Sequence, residues 1–404
     1  MKKLGLLKTA CIAFVFCAAT AIGSPAQVLT TLHGFSGADG QAPVAGLVQA
    51  RDGNFYGTTA GGGASGNCLH GCGTVFKITL QGALTTLYSF NGSDGAGPTA
   101  KLVQASDGNF YGTTQNGGAN DQGTVFEITP SGTLTTLYSF CSQVNCPDGA
   151  HPYAGLIQAR DGNFYGTTPY GGTGCPYGCG TVFEITPSGA LSTLHSFNGS
   201  DGASPYAGLV QASDGDFYGT SSNTVFKITP SGALTTLHSF NGSDGDEAVG
   251  ELVQASDRNF YGTTVRGGGS NDWCHEGCGT VFKITPEGAL TVLYRFGYTD
   301  GAYPYAGLVQ ASDGNFYGTT SFGGVVNFEG TVFKITPSGA LTTLYSFCSR
   351  DNCSDGAQPQ AGLVQASDGN FYGATAGVSD CSLTCGTVFR LVTLRACIVC
   401  PSLE

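Results

Sequence analysis

The sequence predicts an all-β fold, a seven-bladed β-propeller of four-stranded antiparallel blades, from three observations. The first is composition: Gly accounts for 65 of the 404 residues, and charged residues make up only 11% of the chain, against roughly 25% in an average domain. Abundant Gly and a single Met argue against a helical protein, and an aromatic content of 11% argues against a disordered one. The other two observations are a sevenfold repeat and the position of its first strand.

The repeat unit contains four short β-type segments, which we name strands A to D. Within residues 102–140 they read Leu-Val-Gln-Ala, Asn-Phe-Tyr-Gly-Thr-Thr, Thr-Val-Phe-Glu-Ile-Thr and Leu-Thr-Thr-Leu-Tyr-Ser-Phe. Asp-Gly between strands A and B, and Thr-Pro-Ser-Gly between strands C and D, are favoured turn sequences. Because consecutive strands usually pair, each unit is predicted to be an antiparallel meander, and such sheets repeated radially form a propeller. The units begin near residues 47, 102, 156, 209, 252, 308 and 363.

The N-terminal strand is predicted to close the ring. The first strand D segment, Leu29–Phe35, precedes the first strand A, and the last unit stops after strand C at Val392. A closed ring explains this offset, because the first strand then completes the last blade. An open solenoid gives no reason for it.

The chain is predicted to consist of a signal peptide at residues 1–26, the propeller at 27–393 and a C-terminal tail at 394–404. Lys2, Lys3 and Lys8 precede an apolar run at residues 10–19 and then small residues, the pattern of a secretory signal. The run is too short for a membrane span. We therefore expect a secreted, periplasmic or extracellular protein without a membrane span. Its net charge of −12 argues against nucleic-acid partners.

Cysteine spacing predicts local disulfides. Two of the 16 cysteines lie in the predicted signal, and the other 14 form seven close pairs, as expected for an exported chain. The pairs are Cys68 with Cys72, Cys141 with Cys146, Cys175 with Cys179, Cys274 with Cys278, Cys348 with Cys353, Cys381 with Cys385, and Cys397 with Cys400. Zinc is the alternative for the two pairs that have a neighbouring His, but a structural zinc site needs four ligands, so no metal site is predicted.

The repeat resembles the GloVer tandem repeat of the "choice-of-anchor" exported bacterial proteins. The elements that carry the resemblance are Asp-Gly-Asn-Phe-Tyr-Gly-Thr-Thr, Gly-Thr-Val-Phe-Lys-Ile-Thr-Pro-Ser-Gly and Leu-Thr-Thr-Leu-Tyr-Ser-Phe, and they extend over residues 28 to about 393. The resemblance implies an exported repeat protein, with no known enzymatic activity and no catalytic residues to carry over. Members often have a C-terminal sorting signal, and the tail 394–404 shows none.

Strand order places the B-to-C and D-to-A loops on one face, which we call the long-loop face, and the short turns on the other. Blade 4 has almost no B-to-C loop, and the loop of blade 5 contains the single Trp of the chain. An aromatic beside charged groups on variable loops is typical of a binding patch. The alternative is drift in a surface loop. The first candidate ligand-binding residues are Arg266, Asp272, Trp273, His275 and Glu276.

A second candidate site lies where the chain leads into the innermost strands. Tyr153, Tyr206 and Tyr305 occupy the same position in three repeats, which the propeller places at the mouth of the central channel. Three tyrosines there could stack on a sugar or contact a peptide. The alternative is that they plug the channel.

The sequence favours a binding or scaffolding module whose ligand is a glycan or an extracellular protein, approached from the long-loop face. No catalytic residue is predicted, because no nucleophile–base signature occurs. Two alternatives stay open: a secreted glycan hydrolase or lyase using the carboxylates of Asp246, Glu247, Glu251 and Glu276 with His275, and a purely structural surface protein. No cofactor is expected, and calcium in the Asn-Gly-Ser-Asp-Gly loops is an open alternative.

Overall fold

The computed structural model describes residues 27–176, 178–377 and 385–392. They form seven four-stranded antiparallel sheets arranged as a β-propeller, and the only helical element among them is the 3-10 turn Asp351–Cys353. The predicted signal peptide, residues 1–26, and the predicted C-terminal tail, residues 394–404, lie outside the described residues.

The blades repeat with nearly constant strand lengths. Strands A are Val48–Gln49, Val103–Gln104, Ile157–Gln158, Val210–Gln211, Val253–Gln254, Val309–Gln310 and Val364–Gln365. Strands B are Phe55–Thr59, Phe110–Thr114, Phe164–Thr168, Phe217–Thr220, Phe260–Thr264, Phe316–Thr320 and Phe371–Thr375. Strands C are Thr74–Ile78, Thr124–Ile128, Thr181–Ile185, Thr224–Ile228, Thr280–Ile284, Thr331–Ile335 and Thr387–Val392. Strands D are Leu84–Ser89, Leu134–Ser139, Leu191–Ser196, Leu234–Ser239, Leu290–Arg295, Leu341–Ser346 and, in blade 7, Val28–Gly34.

Strand A is shorter than the four residues that its sequence predicts. In blade 1 only Val48 and Gln49 pair with strand B. The reason is the adjacent turn, in which the Ala50 N–H donates to the Asn54 carbonyl at 2.9 Å and ends the ladder.

Ring closure by the N-terminal strand is confirmed. Val28–Gly34 pairs antiparallel with strand C of blade 7, with Leu29 opposite Leu391 and Gly34 opposite Thr387. Leu29 is buried against the aromatic core between blades 6 and 7. The first strand of the chain therefore holds the last blade.

Aromatic pairs join each blade to the next. The strand B tyrosine of one blade stacks on the strand B phenylalanine of the following blade, as Tyr56 does on Phe110 with ring centroids 4.1 Å apart. The same contact closes the ring between blades 7 and 1, where Tyr372 and Phe55 lie 4.3 Å apart. Seven such pairs, one at each junction between blades, form a belt of aromatic contacts around the channel, and each contributes beyond its buried area.

A ring of glutamines also connects neighbouring blades, at the short-turn end of the channel. Each strand A glutamine accepts a hydrogen bond from a backbone N–H of the preceding blade, as Gln104 Oε1 does from Arg51 at 3.0 Å. The circle closes where Gln49 Oε1 accepts from the Ser367 N–H at 2.9 Å. These hydrogen bonds fix the angle between neighbouring blades.

Aspartates on the short-turn face are held in ionised form. Asp257 Oδ2 accepts a hydrogen bond from the Tyr261 hydroxyl at 2.9 Å and lies 2.8 Å from Lys283 Nζ. Burial alone would raise the pKa of Asp257, but hydrogen bonds from Lys283, Asn259 and Tyr261 outweigh it and lower the pKa from 3.8 to about 2. The pKa of Asp313 is also lowered to about 2, by the same balance of contributions.

These aspartates predict acid sensitivity. A carboxylate whose folded pKa lies below its unfolded pKa stabilises the fold above the unfolded value and loses that contribution as the pH falls through the folded value. We therefore expect Tm to be nearly constant down to about pH 5 and to fall between about pH 4 and 2. Thermal melts of Asp257→Asn should show a lower Tm at pH 7 and a shallower acid decline. The matched control is Asp272→Asn, because Asp272 is exposed and forms no ion pair with the described residues. Equal acid profiles for both variants would contradict this interpretation.

Five of the predicted disulfides are confirmed: Cys68–Cys72, Cys141–Cys146, Cys175–Cys179, Cys274–Cys278 and Cys348–Cys353. All five lie in B-to-C or D-to-A loops. Within the described ranges no helix is long and apolar enough to cross a membrane.

The other two predicted pairings are not among these five disulfides. Cys385 is described and buried at the start of the last segment, but its predicted partner, Cys381, lies outside the described residues. Cys397 and Cys400 both lie outside them, in the predicted tail. The pairing of Cys381 with Cys385 and that of Cys397 with Cys400 therefore stay predictions from spacing.

Candidate functional site

The long-loop face is built by pairing each D-to-A loop with the B-to-C loop of the blade that it enters. Gln41 bridges Gly61 in blade 1, and Asp246 bridges Arg266 in blade 5. Blade 4 differs in loop length, because only residues 221–223 separate its strands B and C, whereas residues 265–279 do so in blade 5. The shortest B-to-C loop therefore precedes the longest one along the chain.

Tyrosines gather at the mouth of the channel. The Tyr206 ring packs edge-on against Tyr153 at 5.6 Å, and its hydroxyl hydrogen-bonds the Tyr170 hydroxyl at 2.7 Å. Burial raises the pKa of Tyr153, with a smaller contribution from Tyr305, which belongs to the loop that leads into blade 6. The sequence thus predicted three members of this cluster, and the structure adds Tyr170 from the B-to-C loop of blade 3.

Charged groups lie beside these tyrosines. Arg266 Nη1 is 2.7 Å from Glu276 Oε2 and 3.3 Å from Glu247 Oε1. Burial is the main reason for the raised pKa of Tyr305, and the Glu247 carboxylate adds to it while Arg266 opposes it. Arg266 and Glu247 therefore lie close enough to Tyr305 to act on its pKa. We call the four tyrosines, together with Arg266 and Glu247, the mouth cluster.

An ion pair that the sequence analysis missed lies in the channel below the mouth. Lys101 Nζ is 3.5 Å from Glu251 Oε2, although the residues belong to blades 2 and 5. The glutamate carboxylate lies against Gly208, where an added Cβ would come within 2.6 Å of Oε1. A signal was present in the sequence: the residue before the first Leu of strand A is Gly in the other five repeats, and Lys or Glu only here.

Trp273 belongs to a separate aromatic group on the rim. Its ring stacks on Tyr298 with centroids 5.3 Å apart and an interplanar angle of 8°, and Phe328 from blade 6 lies 6.0 Å away. The Trp273 backbone N–H donates to Asn271 Oδ1, and the residue stays 62% exposed. The structure thus pairs the tryptophan with aromatics of the next blade, while Arg266 belongs to the mouth cluster.

Two of the predicted ligand-binding residues stand apart from both groups. Asp272 and His275 are exposed and form no hydrogen bond or ion pair with the described residues. Across those residues, no group of three or more His, Cys, Asp or Glu side chains could hold a metal ion. The Asn-Gly-Ser-Asp-Gly loops use their oxygens internally: Asp94 accepts from Tyr88 and Asn91.

The fold and the loop arrangement define the class of this protein: it is a disulfide-containing, closed seven-bladed β-propeller with variable loops on one face. The chain belongs to the family described as the Gloeobacter/Verrucomicrobia repeat, which matches residues 22–224 and 173–389. This confirms the resemblance stated above. Among curated proteins no sequence match is found.

Solved structures share the architecture at low identity. A streptogramin B lyase structure superposes with a TM-score of 0.62 at 16% identity, covering 91% of this chain and 97% of that one. A fungal alcohol oxidase of the AA5 family in complex with copper gives 0.57 at 12% identity, covering 90% and 75%. The extracellular domain assigned to a one-component system of B. thetaiotaomicron gives 0.57 at 9%, covering 92% and 40%. These likenesses concern the propeller fold alone.

Proposed function

We propose that this protein is an exported binding module that takes a glycan at the mouth of its channel. The observation that carries the proposal is the convergence of Tyr153, Tyr206 and Tyr305 with the ion-paired Arg266 and Glu247. Aromatic faces with a few fixed polar groups are the usual lining of small-ligand sites. Tyrosine rings offer apolar faces to sugar C–H groups, and their hydroxyls and the ion pair offer hydrogen bonds to sugar hydroxyls.

Rigid loops support a binding role. The Cys274–Cys278 disulfide closes the same loop that carries Arg266 and Glu276. Arg266 is further fixed through its backbone, which exchanges hydrogen bonds with Asp246. A preorganised loop loses less conformational entropy when a ligand binds, so the disulfide contributes to affinity.

Charge pairing favours binding over acid–base catalysis for most of the carboxylates at this mouth. General acid–base chemistry needs a carboxylate free to exchange a proton with the substrate. Glu247 and Glu276 both pair with Arg266, and Glu251 pairs with Lys101, so of the four carboxylates in the enzymatic alternative only Asp246 is without an ion pair among the described residues. A hydrolase or lyase activity is therefore the second outcome of the experiment below, and a protein without a ligand is the third.

We expect cell-wall glycans to bind saturably to the mature chain without being turned over. Calorimetric titration with a glycan panel, followed by product analysis of the same mixtures, distinguishes the three outcomes. Tyr206→Ala should weaken binding about 10- to 100-fold, as truncation of an interface aromatic does. Tyr206→Phe, which keeps the ring and removes only the hydrogen bond to Tyr170, should weaken it much less.

A control addresses nonspecific effects. Leu69 lies on the same face, away from the mouth, and is 93% exposed. The Leu69→Ala variant should therefore bind the glycan with the affinity of the wild type. Undiminished binding by Tyr206→Ala would exclude the mouth cluster as the site. Product formation would replace the binding proposal by the enzymatic one.

A further inference from the structure

A groove of about 650 Å³ opens on the outer rim between blades 2 and 3. One wall is the disulfide loop Cys141–Cys146 with the residues that follow it, and the other is strand D of blade 3, Leu191–Ser196. The lining is mostly polar and includes Tyr138, Gln143, Asp148, Leu191, Thr193 and His195. This blade 2/3 groove lies among outer strands, so it is distinct from the mouth cluster at the inner strands.

The chain contains the same loop a second time, between blades 6 and 7. Residues 141–146 read Cys-Ser-Gln-Val-Asn-Cys, and residues 348–353 read Cys-Ser-Arg-Asp-Asn-Cys. In the second copy an arginine replaces the glutamine: Arg350 Nη2 donates to the Leu29 carbonyl at 2.9 Å. The Arg350 charge also acts on Tyr345: burial raises the pKa of this tyrosine, and Arg350 partly offsets that rise.

The groove is lined by the counterparts of Leu29 and Tyr345, the two residues on which Arg350 acts. Tyr138 stands in the repeat where Tyr345 does, and Leu191 stands opposite the end of strand C as Leu29 does. Gln143, at the position of Arg350, ends in a shorter side chain without a charge. The blade 2/3 junction therefore has the counterparts of Leu29 and Tyr345 but no arginine at the position of Arg350.

The blade 2/3 and blade 6/7 junctions also differ in two hydrogen bonds. Thr31 Oγ1 donates to the Ser354 carbonyl at 3.1 Å and thereby ties strand D of blade 7 to the preceding loop. The counterpart Thr193 forms no side-chain hydrogen bond with the described residues. Asp355 Oδ1 lies 3.4 Å from the Arg350 backbone nitrogen, whereas Asp148 Oδ1 is buried without a hydrogen-bond partner among the described residues.

We propose that the blade 2/3 groove binds the guanidinium group of an arginine side chain supplied by another molecule. The acceptors that line the groove are the Tyr138 and Thr193 hydroxyls and backbone carbonyls of strand D, and a guanidinium has five N–H donors and no acceptor. The Asp148 carboxylate adds negative charge beside them, and its Oδ2 accepts a hydrogen bond from the Tyr138 hydroxyl at 2.8 Å. The net charge of −12 favours approach of a cation. The ligand class is an arginine-bearing peptide, which makes this a peptide site independent of the proposed glycan site.

The test uses N-acetyl-arginine amide and its neutral isostere N-acetyl-citrulline amide as probes for the mature full-length chain. Equilibrium dialysis should show saturable binding of one arginine probe per chain, and at least tenfold weaker binding of the citrulline probe. Binding that is absent, or equal for both probes, overturns the proposal without any variant being needed.

Two variants locate the site. Gln143→Arg should occupy the groove from within, as Arg350 does, and lower the affinity for the probe at least tenfold. Val144→Arg adds the same charge at a neighbouring residue that is 89% exposed, so it should bind the probe like the wild type. Arg350→Ala should open the equivalent site at the blade 6/7 junction and raise the number of arginine probes bound per chain from one to two. Undiminished probe binding by Gln143→Arg in a folded protein would overturn the assignment.

Discussion

Deletion of Val28–Phe35 is expected to prevent the mature protein from folding into a stable ring. The deletion leaves strand C of blade 7 as an open edge, because every residue of that strand, Thr387–Val392, pairs with a residue of Val28–Gly34. It also removes Leu29 and Phe35, which are 2% and 6% exposed, from the cores of blades 7 and 1. Truncating one such side chain costs roughly 2–5 kcal/mol, so losing the whole strand approaches the total stability of about 5–15 kcal/mol that is usual for a domain.

Circular dichroism melts and size-exclusion chromatography would measure this effect. The truncated chain should lack a cooperative transition and aggregate through the exposed strand edge. A chimera that carries Leu134–Phe140, the strand D sequence of blade 2, in place of residues 29–35 should melt cooperatively again, because both segments share the Leu-x-x-Leu pattern. A truncated chain that melts like the full-length protein would contradict closure by the first strand.

Gly262→Ala is expected to destabilise the propeller by about 1–3 kcal/mol, the usual cost of overpacking a core. This glycine of the Phe-Tyr-Gly motif lies under the aromatic ring of strand C. A Cβ added to it would lie 2.6 Å from Phe282 Cζ and 2.8 Å from Leu252 Cδ2. Both neighbours are buried, so neither can move aside without disturbing the belt of aromatic contacts.

Urea unfolding followed by circular dichroism gives the free energy difference. Gly66→Ala is the matched control, because a Cβ at that loop position meets no atom within 4 Å. Its urea midpoint should equal that of the wild type or exceed it slightly, since alanine restricts the unfolded chain. If the two variants unfold at the same urea concentration, packing under the ring is not what keeps glycine in this motif.

The sequence was sufficient to predict the ring architecture, because that information is local and repeated. Turn sequences and alternating strands predict each blade, and the displaced strand Leu29–Phe35 predicts closure. The five described disulfides join residues only four or five positions apart, so spacing alone predicted them. Strand order also predicted which loops share a face.

Contacts between blades could not be predicted in the same way. Lys101 and Glu251 are 150 positions apart and meet only because the ring brings blades 2 and 5 together across a narrow channel. Nor did the sequence show that the Trp273 ring stacks on Tyr298 and lies 6.0 Å from Phe328, because these aromatics come from loops of the next blade.

By itself, then, the sequence determined the number of blades, their strands, the closure of the ring and the face that carries the long loops, since each follows from neighbouring residues and from repetition. Only the tertiary structure decided which variable side chains meet. These side-chain contacts depend on the ring radius and on loop conformations such as the positive φ of Tyr298 and Phe328, at 75° and 59°. The mouth cluster and the blade 2/3 groove are set by distances between blades, and local sequence patterns do not encode such distances.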